Sequence, residues 1–457
     1  MAEELIITVS GMRGIIGENL TSLVAEEYGC AFGTYLKQRY PDKEKLSVCI
    51  GRDSRASGPM LAEAVTSGLC SMGLEVIDLG LVITPSVGVM LRKLNCAGGV
   101  MITASHNPQP YNGIKLLLAD GIAPPPEDAG LIRDLYFAKD FAKVDPGRSG
   151  KITTNLETYD FHISRVLSLI DPQAILAKSY RVVLDSVNGA GGPITKKLLA
   201  QLGCKTIAIN DDPSGIFEHT PEPTKDNLTA LCEITAKKHA DVGFAQDPDA
   251  DRLAIVDEKG NYIGEEYTLA LAAKYIYLSK KGPAATNLST SRMIDDIAGK
   301  FGVTVFRTAV GEANVAAAMR KHQCIIGGEG NGGVIDLRVG PVRDSMVAIA
   351  LVLGFMSVTG KTISELVSEI GVYYMHKEKF TCDKQQAQKI IHLAGSEFAQ
   401  GRIDNTDGCR IDFDDGWLHL RTSNTEPVMR LIVEAVDEST AKCYVDRVRQ
   451  IRDSVVG

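Results

Sequence analysis

The stretch GGVMITASHNPQPYNGIKLLL spans residues 98 to 118. Val100 to Thr103 are apolar and β-branched enough to predict a strand, and Ile114 to Leu118 predict a second. Ser105, His106, Asn107 and Pro108 therefore fall in the connection between two strands. Asn107-Pro108 and Asn112-Gly113 are turn dipeptides, so the loop is expected to be tight and to present the Ser105 hydroxyl outward.

Upstream of this loop lies a pattern that recurs. Ser47 to Gly51 predicts a strand, Arg52-Asp53-Ser54-Arg55 a polar loop, Met60 to Ser71 a helix closed by Gly73, and Glu75 to Leu79 another strand. The same order returns in Arg181 to Leu184, Ser186 to Gly189, Pro193 to Gln201, Gly203 and Lys205 to Ile209. It returns more faintly in Ala285 to Leu288, Ser289 to Ser291, Met293 to Lys300, Gly302 and Val303 to Arg307. A βαβ crossover is the smallest unit that covers such strands on both faces, so three similar α/β domains are predicted. Pro124 to Gly150, Asp257 to Gly264 and Glu369 to Lys377 read as boundaries. From Phe380 the composition shifts to Asp-Gly turns and short alternating strands such as Trp417 to Leu420 and Met429 to Val433, with a final helix from Ser439, predicting a smaller α+β domain. The expected domains are 1–145, 150–256, 257–368 and 372–457.

A chain of 457 residues with 44% hydrophobic content has material for several cores. With 49 basic and 57 acidic residues the net charge is -8, which argues against nucleic acid and leaves room for small anionic ligands held by local basic groups. The ten cysteines contain no C-x-x-C pair, so a reducing cytoplasm is expected in place of a disulfide framework or zinc site. Glu3 and Glu4 stand where a signal peptide would be basic. The most apolar run, Met346 to Val358, is shorter than the roughly 20 residues a membrane span needs and predicts a buried helix. No membrane segment is expected.

Asp247-Pro248-Asp249-Ala250-Asp251-Arg252 separates two apolar strands. Carboxylates at alternate positions can converge on a hard cation. Glu258 even occupies the twelfth position of a calcium loop, but the sixth is Arg252 where glycine is needed and the flanks are strands, so that reading fails. Two carboxylates about 5 Å apart at an effective dielectric near 20 repel by about 3 kcal/mol, and a cation or proton must compensate. Few, oxygen-only ligands favour Mg²⁺ completed by a phosphate oxygen. In Gly327-Gly328-Glu329-Gly330-Asn331-Gly332-Gly333 the glycines let backbone approach a ligand while Glu329 suits a pair of sugar hydroxyls; without G-K-[ST] it is no nucleotide P-loop. Arg421-Thr422-Ser423-Asn424-Thr425-Glu426-Pro427, with Arg430 beyond, concentrates the donors a phosphate dianion requires.

Taken together and in this order, TASHNP, DPDADR, GEGNGG and RTSNTEP resemble the motifs of the α-D-phosphohexomutase superfamily along essentially the whole chain. The resemblance implies an α/β architecture, three similar domains with mixed sheets plus a C-terminal domain of the TATA-binding-protein-like kind, around one central cleft. It implies that Ser105 carries a phosphoryl group, that Asp247, Asp249 and Asp251 bind Mg²⁺ with that phosphoserine, and that Glu329 reads sugar hydroxyls. It further implies that Arg421, Ser423, Asn424 and Thr425 hold the substrate phosphate. Arg13, His106, Lys115 and Arg252 match positions lining the reaction centre, and Val310-Gly311-Glu312 looks like the third domain's ligand-facing loop. The expected reaction interconverts hexose 6-phosphate and 1-phosphate through a hexose 1,6-bisphosphate. Lys115 and His106 are both candidates for the base. The expected partner is a small phosphosugar, with the protein a monomer or homodimer.

One departure is visible. Many bacterial relatives read G-E-x-S-G-H in the sugar loop, whereas Asn331 and Gly333 stand at the serine and histidine positions here. That replacement resembles an archaeal-type branch often assigned as phosphoglucosamine mutase, with bifunctional phosphomannomutase/phosphoglucomutase the alternative. A metal-dependent sugar phosphatase would share the carboxylates and cradle, and a phosphosugar sensor would keep the cradle alone. The intact Ser105 and aspartate triplet favour the mutase.

Overall fold

The computed structural model describes residues 5–9, 11–422 and 428–456. Its central feature is one four-strand arrangement built three times. In the first unit the strand Ser47–Arg52 lies between two parallel neighbours, Glu75–Leu81 and Gly98–Ile102, and Tyr111–Leu118 pairs antiparallel with the latter. In the second, Arg181–Asp185 lies between Lys205–Ile209 and Val242–Gln246, and Leu253–Val256 closes antiparallel. In the third, Ala284–Asn287 lies between Val305–Thr308 and Ile326–Glu329, and Gly333–Ile335 closes antiparallel. The third strands Gly98–Ile102 and Val242–Gln246 are buried at every residue, as strands covered by helices on both faces must be.

The first strand of each unit ends in the same turn. The side chains of Asp53, Asp185 and Asn287 accept hydrogen bonds from the backbone N–H two residues on, that of Arg55 at 2.9 Å, Val187 at 2.9 Å and Ser289 at 2.8 Å. The turn between third and fourth strands is equivalent in all three units, and it carries TASHNP in one, DPDADR in the next and GEGNGG in the last.

The first sheet is extended by Ile6–Thr8 and Gly11–Ile15 on one edge and by Ile152–Thr154 on the other, so it reaches beyond residue 145. The proline run at 124–126 opens a helix, Pro126–Ala138, because a proline at the first helical position gives up an N–H that has no partner there. Helix Ser345–Thr359, the expected apolar run, is buried from Ser345 to Ser357 and fills a core shared by the second and third units. The first unit keeps a core of its own. Among the described residues no single helix is long and apolar enough to cross a membrane.

The last domain is a five-stranded antiparallel sheet ordered Tyr374–Thr381, Val428–Ala435, Gly416–Thr422, Cys409–Asp412 and Arg402–Asp404. Helices Lys384–Glu397 and Glu438–Val456 enclose a third, separate core with it.

Candidate active site

Ser105 occupies the first of the three equivalent turns. Its backbone N–H donates to Thr103 Oγ1 at 2.9 Å, and that hydroxyl donates to Asp53 Oδ2 at 2.6 Å. The residue takes a left-handed φ of 51°, uncommon outside glycine. The expected outward presentation is corrected here: Ser105 is 4% exposed, because its hydroxyl points across to the second unit and donates to Asp247 Oδ2 at 3.0 Å. His106 Nδ1 stands 3.3 Å from the same hydroxyl. Arg13, on strand Gly11–Ile15 beside the loop, donates to Asn107 Oδ1 at 3.1 Å.

Across from Ser105, one oxygen each of Asp247, Asp249 and Asp251 lies within 4.8 Å of the others, and all three residues are buried. Ala250 takes φ 52°, folding the loop so that alternate side chains converge. Lys115, from the fourth strand of the first unit, donates to Asp249 at 2.7 Å and lies 3.7 Å from Asp251. Thr84 donates its hydroxyl to Asp249 at 2.5 Å. Burial, then Asp251 and Asp249, push the Asp247 carboxyl well above the usual range. Burial acts the same way on Asp249 but is outweighed by Lys115 and Thr84, which hold that carboxyl low. Asp249 Oδ1 and Asp251 Oδ1 are buried without hydrogen-bond partners among the described residues. An all-oxygen set with lone pairs to spare fits a hard divalent cation such as Mg²⁺.

Glu329 ends the third strand of the third unit. Its Oε1 accepts from Asn287 Nδ2 at 2.7 Å and from the Gly311 N–H at 3.2 Å, and its Oε2 accepts from Arg343 at 2.5 Å. Asn331, in the same turn, has a buried Oδ1 without a hydrogen-bond partner among the described residues. Arg252 pairs with Glu222 at 3.6 Å, and Glu222 in turn lies 3.9 Å from His106. In the last domain Arg421 pairs with Asp407 at 3.4 Å and stands opposite Arg430 in the sheet register. Asp407 also accepts from the Val310 N–H at 2.9 Å, which joins this end of the cleft to the Val310-Gly311-Glu312 turn. The expected phosphate ligands Ser423, Asn424 and Thr425 lie outside the described residues.

The structure thus gathers Ser105, His106, Arg13, Lys115, Asp247, Asp249, Asp251, Arg252 and Glu329 from three separate sheets. It adds two arginines that motif reading passed over. Arg343 is one. Arg55 is the other: 2% exposed, it donates Nε to Asp53 at 3.2 Å, Nη1 to the carbonyls of Pro108 and Tyr111 at 3.1 and 2.9 Å, and Nη2 to those of Ser105 and Asn107 at 2.6 and 2.7 Å. Phe217, from the second unit, covers the guanidinium at 4.8 Å. The sequence signal for Arg55 was only its place in the polar loop 52–55.

Comparison with known proteins follows the same division. Family models for phosphoglucomutase/phosphomannomutase match residues 5–143 (alpha/beta/alpha domain I), 160–260 (domain II), 264–373 (domain III) and 377–451 (C-terminal domain). A phosphoglucomutase/phosphomannomutase of Thermococcus kodakarensis is 39% identical over 441 residues, 95% of this chain and 96% of that one. A probable phosphoglucosamine mutase of Methanopyrus kandleri is 36% identical over 452 residues, 98% of this chain and 96% of that one. A crystal structure of a phosphoglucomutase/phosphomannomutase family protein from Burkholderia thailandensis superposes with a TM-score of 0.87 at 26% identity, covering 98% of this chain and 97% of that one.

Proposed function

Because the chain belongs to the phosphoglucomutase/phosphomannomutase family along its whole length, we propose that Ser105 is its phosphoryl carrier and glucosamine phosphate its preferred substrate. The chain is a phosphohexose mutase, an isomerase that works by phosphotransfer. Phospho-Ser105 gives its phosphoryl group to the free hydroxyl of a hexose monophosphate: the Ser105 O–P bond breaks, a sugar O–P bond forms, and the proton lost by the sugar hydroxyl ends on the freed Ser105 oxygen. The resulting 1,6-bisphosphate turns round and returns its other phosphate to Ser105, so that isomerisation is the net result.

The observation that carries this reading is the Ser105 hydroxyl donating at 3.0 Å to Asp247, on the lip of the carboxylate cluster. A phosphoserine brings about -1.5 to -2 charges, which buried carboxylates tolerate only with positive charge beside them. Asp247, Asp249 and Asp251 would hold Mg²⁺ together with a phosphoserine oxygen, and when bound the ion neutralises charge on the phosphoryl group. Lys115 keeps Asp249 and Asp251 paired while facing the same space. His106 Nδ1 stands 3.3 Å from the hydroxyl, and because burial and then Arg252 push its pKa down to about 2, it serves as a neutral hydrogen-bonding contact to Ser105 and not as a strong base. Glu329 accepts sugar hydroxyls, and Arg421 with Ser423, Asn424 and Thr425 holds the distal phosphate in both orientations.

Ser105→Ala abolishes turnover while hexose phosphate binding, read by calorimetry, persists; an active variant overturns the assignment. Intact-mass mapping of active protein should place one phosphate on the Ser105 peptide. The second reading, a bifunctional phosphomannomutase/phosphoglucomutase, is favoured by the name carried by the 39% identical relative. Comparing kcat/KM for glucosamine, glucose and mannose phosphates on one preparation decides between them. A cytoplasmic location fits ten free cysteines.

A further inference from the structure

Gly333 closes the turn that carries Glu329, and its surroundings explain what its missing side chain makes room for. The residue lies in an extended strand, its Cα opposite Glu329, so its backbone conformation would accept any amino acid. A Cβ added there, however, would meet Arg343 Cδ at 2.2 Å and Cγ at 2.8 Å, distances no side chain can keep. The Arg343 side chain occupies that space.

Through this gap Arg343 reaches three carboxylates from two units. Nη2 donates to Asp251 at 2.6 Å, Nη1 to Glu329 at 2.5 Å, and Nε to Glu312 at 3.1 Å, while its backbone N–H donates to the same Glu312 oxygen at 2.8 Å. Its main chain is pinned by the next residue. Asp344 caps helix Ser345–Thr359 and bonds His162 Nε2 at 2.7 Å, and His162 Nδ1 meets Ser86 Oγ at 2.8 Å. The planar fork of a guanidinium fixes the angle between the carboxylates it joins, which a point charge does not.

We propose that Arg343, admitted by Gly333, is a positioning residue of the active site that locks Glu329 in register with the aspartate loop, so that a sugar hydroxyl bound by Glu329 stands at a set distance from Ser105. The proposal rests on the mutase reading for the role of Glu329. With Oε2 held by Arg343 and Oε1 by Asn287 and the Gly311 N–H, the Glu329 carboxylate has one orientation. Arg343 acts on the sugar through Glu329 and leaves the phosphate cradle untouched.

The test is a double-mutant cycle with direct binding as readout. In a Ser105→Ala background, hexose 6-phosphate and inorganic phosphate are titrated calorimetrically, without added metal, against Gly333→Ala, Arg343→Met and the double variant. Arg343→Met weakens hexose 6-phosphate by about 10-fold, the scale of one lost hydrogen bond to a charged group, and leaves inorganic phosphate within about 2-fold. Gly333→Ala reproduces that loss by expelling the arginine, and the double variant is no worse than either single one. Arg343→Lys keeps the charge and loses the fork; it retains the melting temperature of the Ser105→Ala parent and still binds the sugar phosphate weakly. Losses that multiply in the double variant, equal losses for both ligands, or full hexose phosphate affinity in Arg343→Lys overturn the proposal. A parental Ser105 enzyme that isomerises nothing would instead count against the mutase reading.

Discussion

Arg55 shows how one side chain can determine the shape of the loop that carries Ser105. Each of its five N–H groups is directed to an acceptor, one to Asp53 and four to carbonyls of the segment 105–111. Those four carbonyls bend round a single cation, and the left-handed Ser105 is held among them. Arg55→Met therefore lowers kcat by about 100-fold or more, the scale of a misplaced reacting atom, while KM changes little. Added guanidinium ion should restore part of kcat in Arg55→Gly, which steady-state assays would detect; a wild-type kcat in either variant would show that the loop holds its shape unaided. Ser105, the aspartates and Glu329 were legible in the sequence because short-range spacing and turn residues mark them. Arg55 and Arg343 were not, because the carbonyl acceptors of Arg55 lie 50 to 56 residues away and the carboxylate acceptors of Arg343 lie 14 to 92 residues away, and no local pattern encodes a fork aimed that far.

At the scale of elements, the apolar run at 346–358 announced a buried helix, and alternation announced the C-terminal strands. What composition could not supply is why the helix begins where it does. Asp344 accepts from the N–H groups of Met346 and Val347 at 2.9 and 3.4 Å and also ties the helix to His162. Asp344→Ala removes a cap worth about 1 kcal/mol and leaves a buried imidazole N–H unpaired at roughly 1 to 3 kcal/mol. The expected loss of about 3 kcal/mol is measurable by chemical denaturation, with Asp344→Asn, which can still cap, losing less. The expected boundary at 124–150 contains a helix for a comparable reason: prolines that break a helix internally begin one at its first position.

For the whole molecule, the repeated strand-loop-helix-glycine order predicted three like units and a distinct fourth. The core that the second and third units share depends on packing across domains and had no sequence signature. The third and fourth domains meet through polar contacts. His419, fully buried, stands 2.9 Å from Ser289 Oγ through Nδ1 and 2.6 Å from the Asp407 carbonyl through Nε2. Burial, with Arg410 and Arg421 nearby and against the Asp407 carbonyl and carboxylate, depresses its pKa to about 4 from the ordinary 6.5. The unfolded chain therefore takes up this proton below pH 6.5 and the folded chain does not. Stability from this group is complete above 6.5 and is lost as pH falls toward 4, about 2 kcal/mol by pH 5. His419→Gln should start less stable at pH 7, and the gap in melting temperature from wild type should narrow by pH 5; a gap constant with pH would mean that His419 titrates alike in both states.

The three equivalent turns also bear on descent. On the function proposed above, one backbone bend carries a nucleophile in its first copy, a cage for a cation in its second and a reader of hydroxyls in its third. A duplicated ancestor would thus have owned the walls of the cleft before it owned the reaction, and division of labour among its copies needed new side chains at one bend rather than a new architecture.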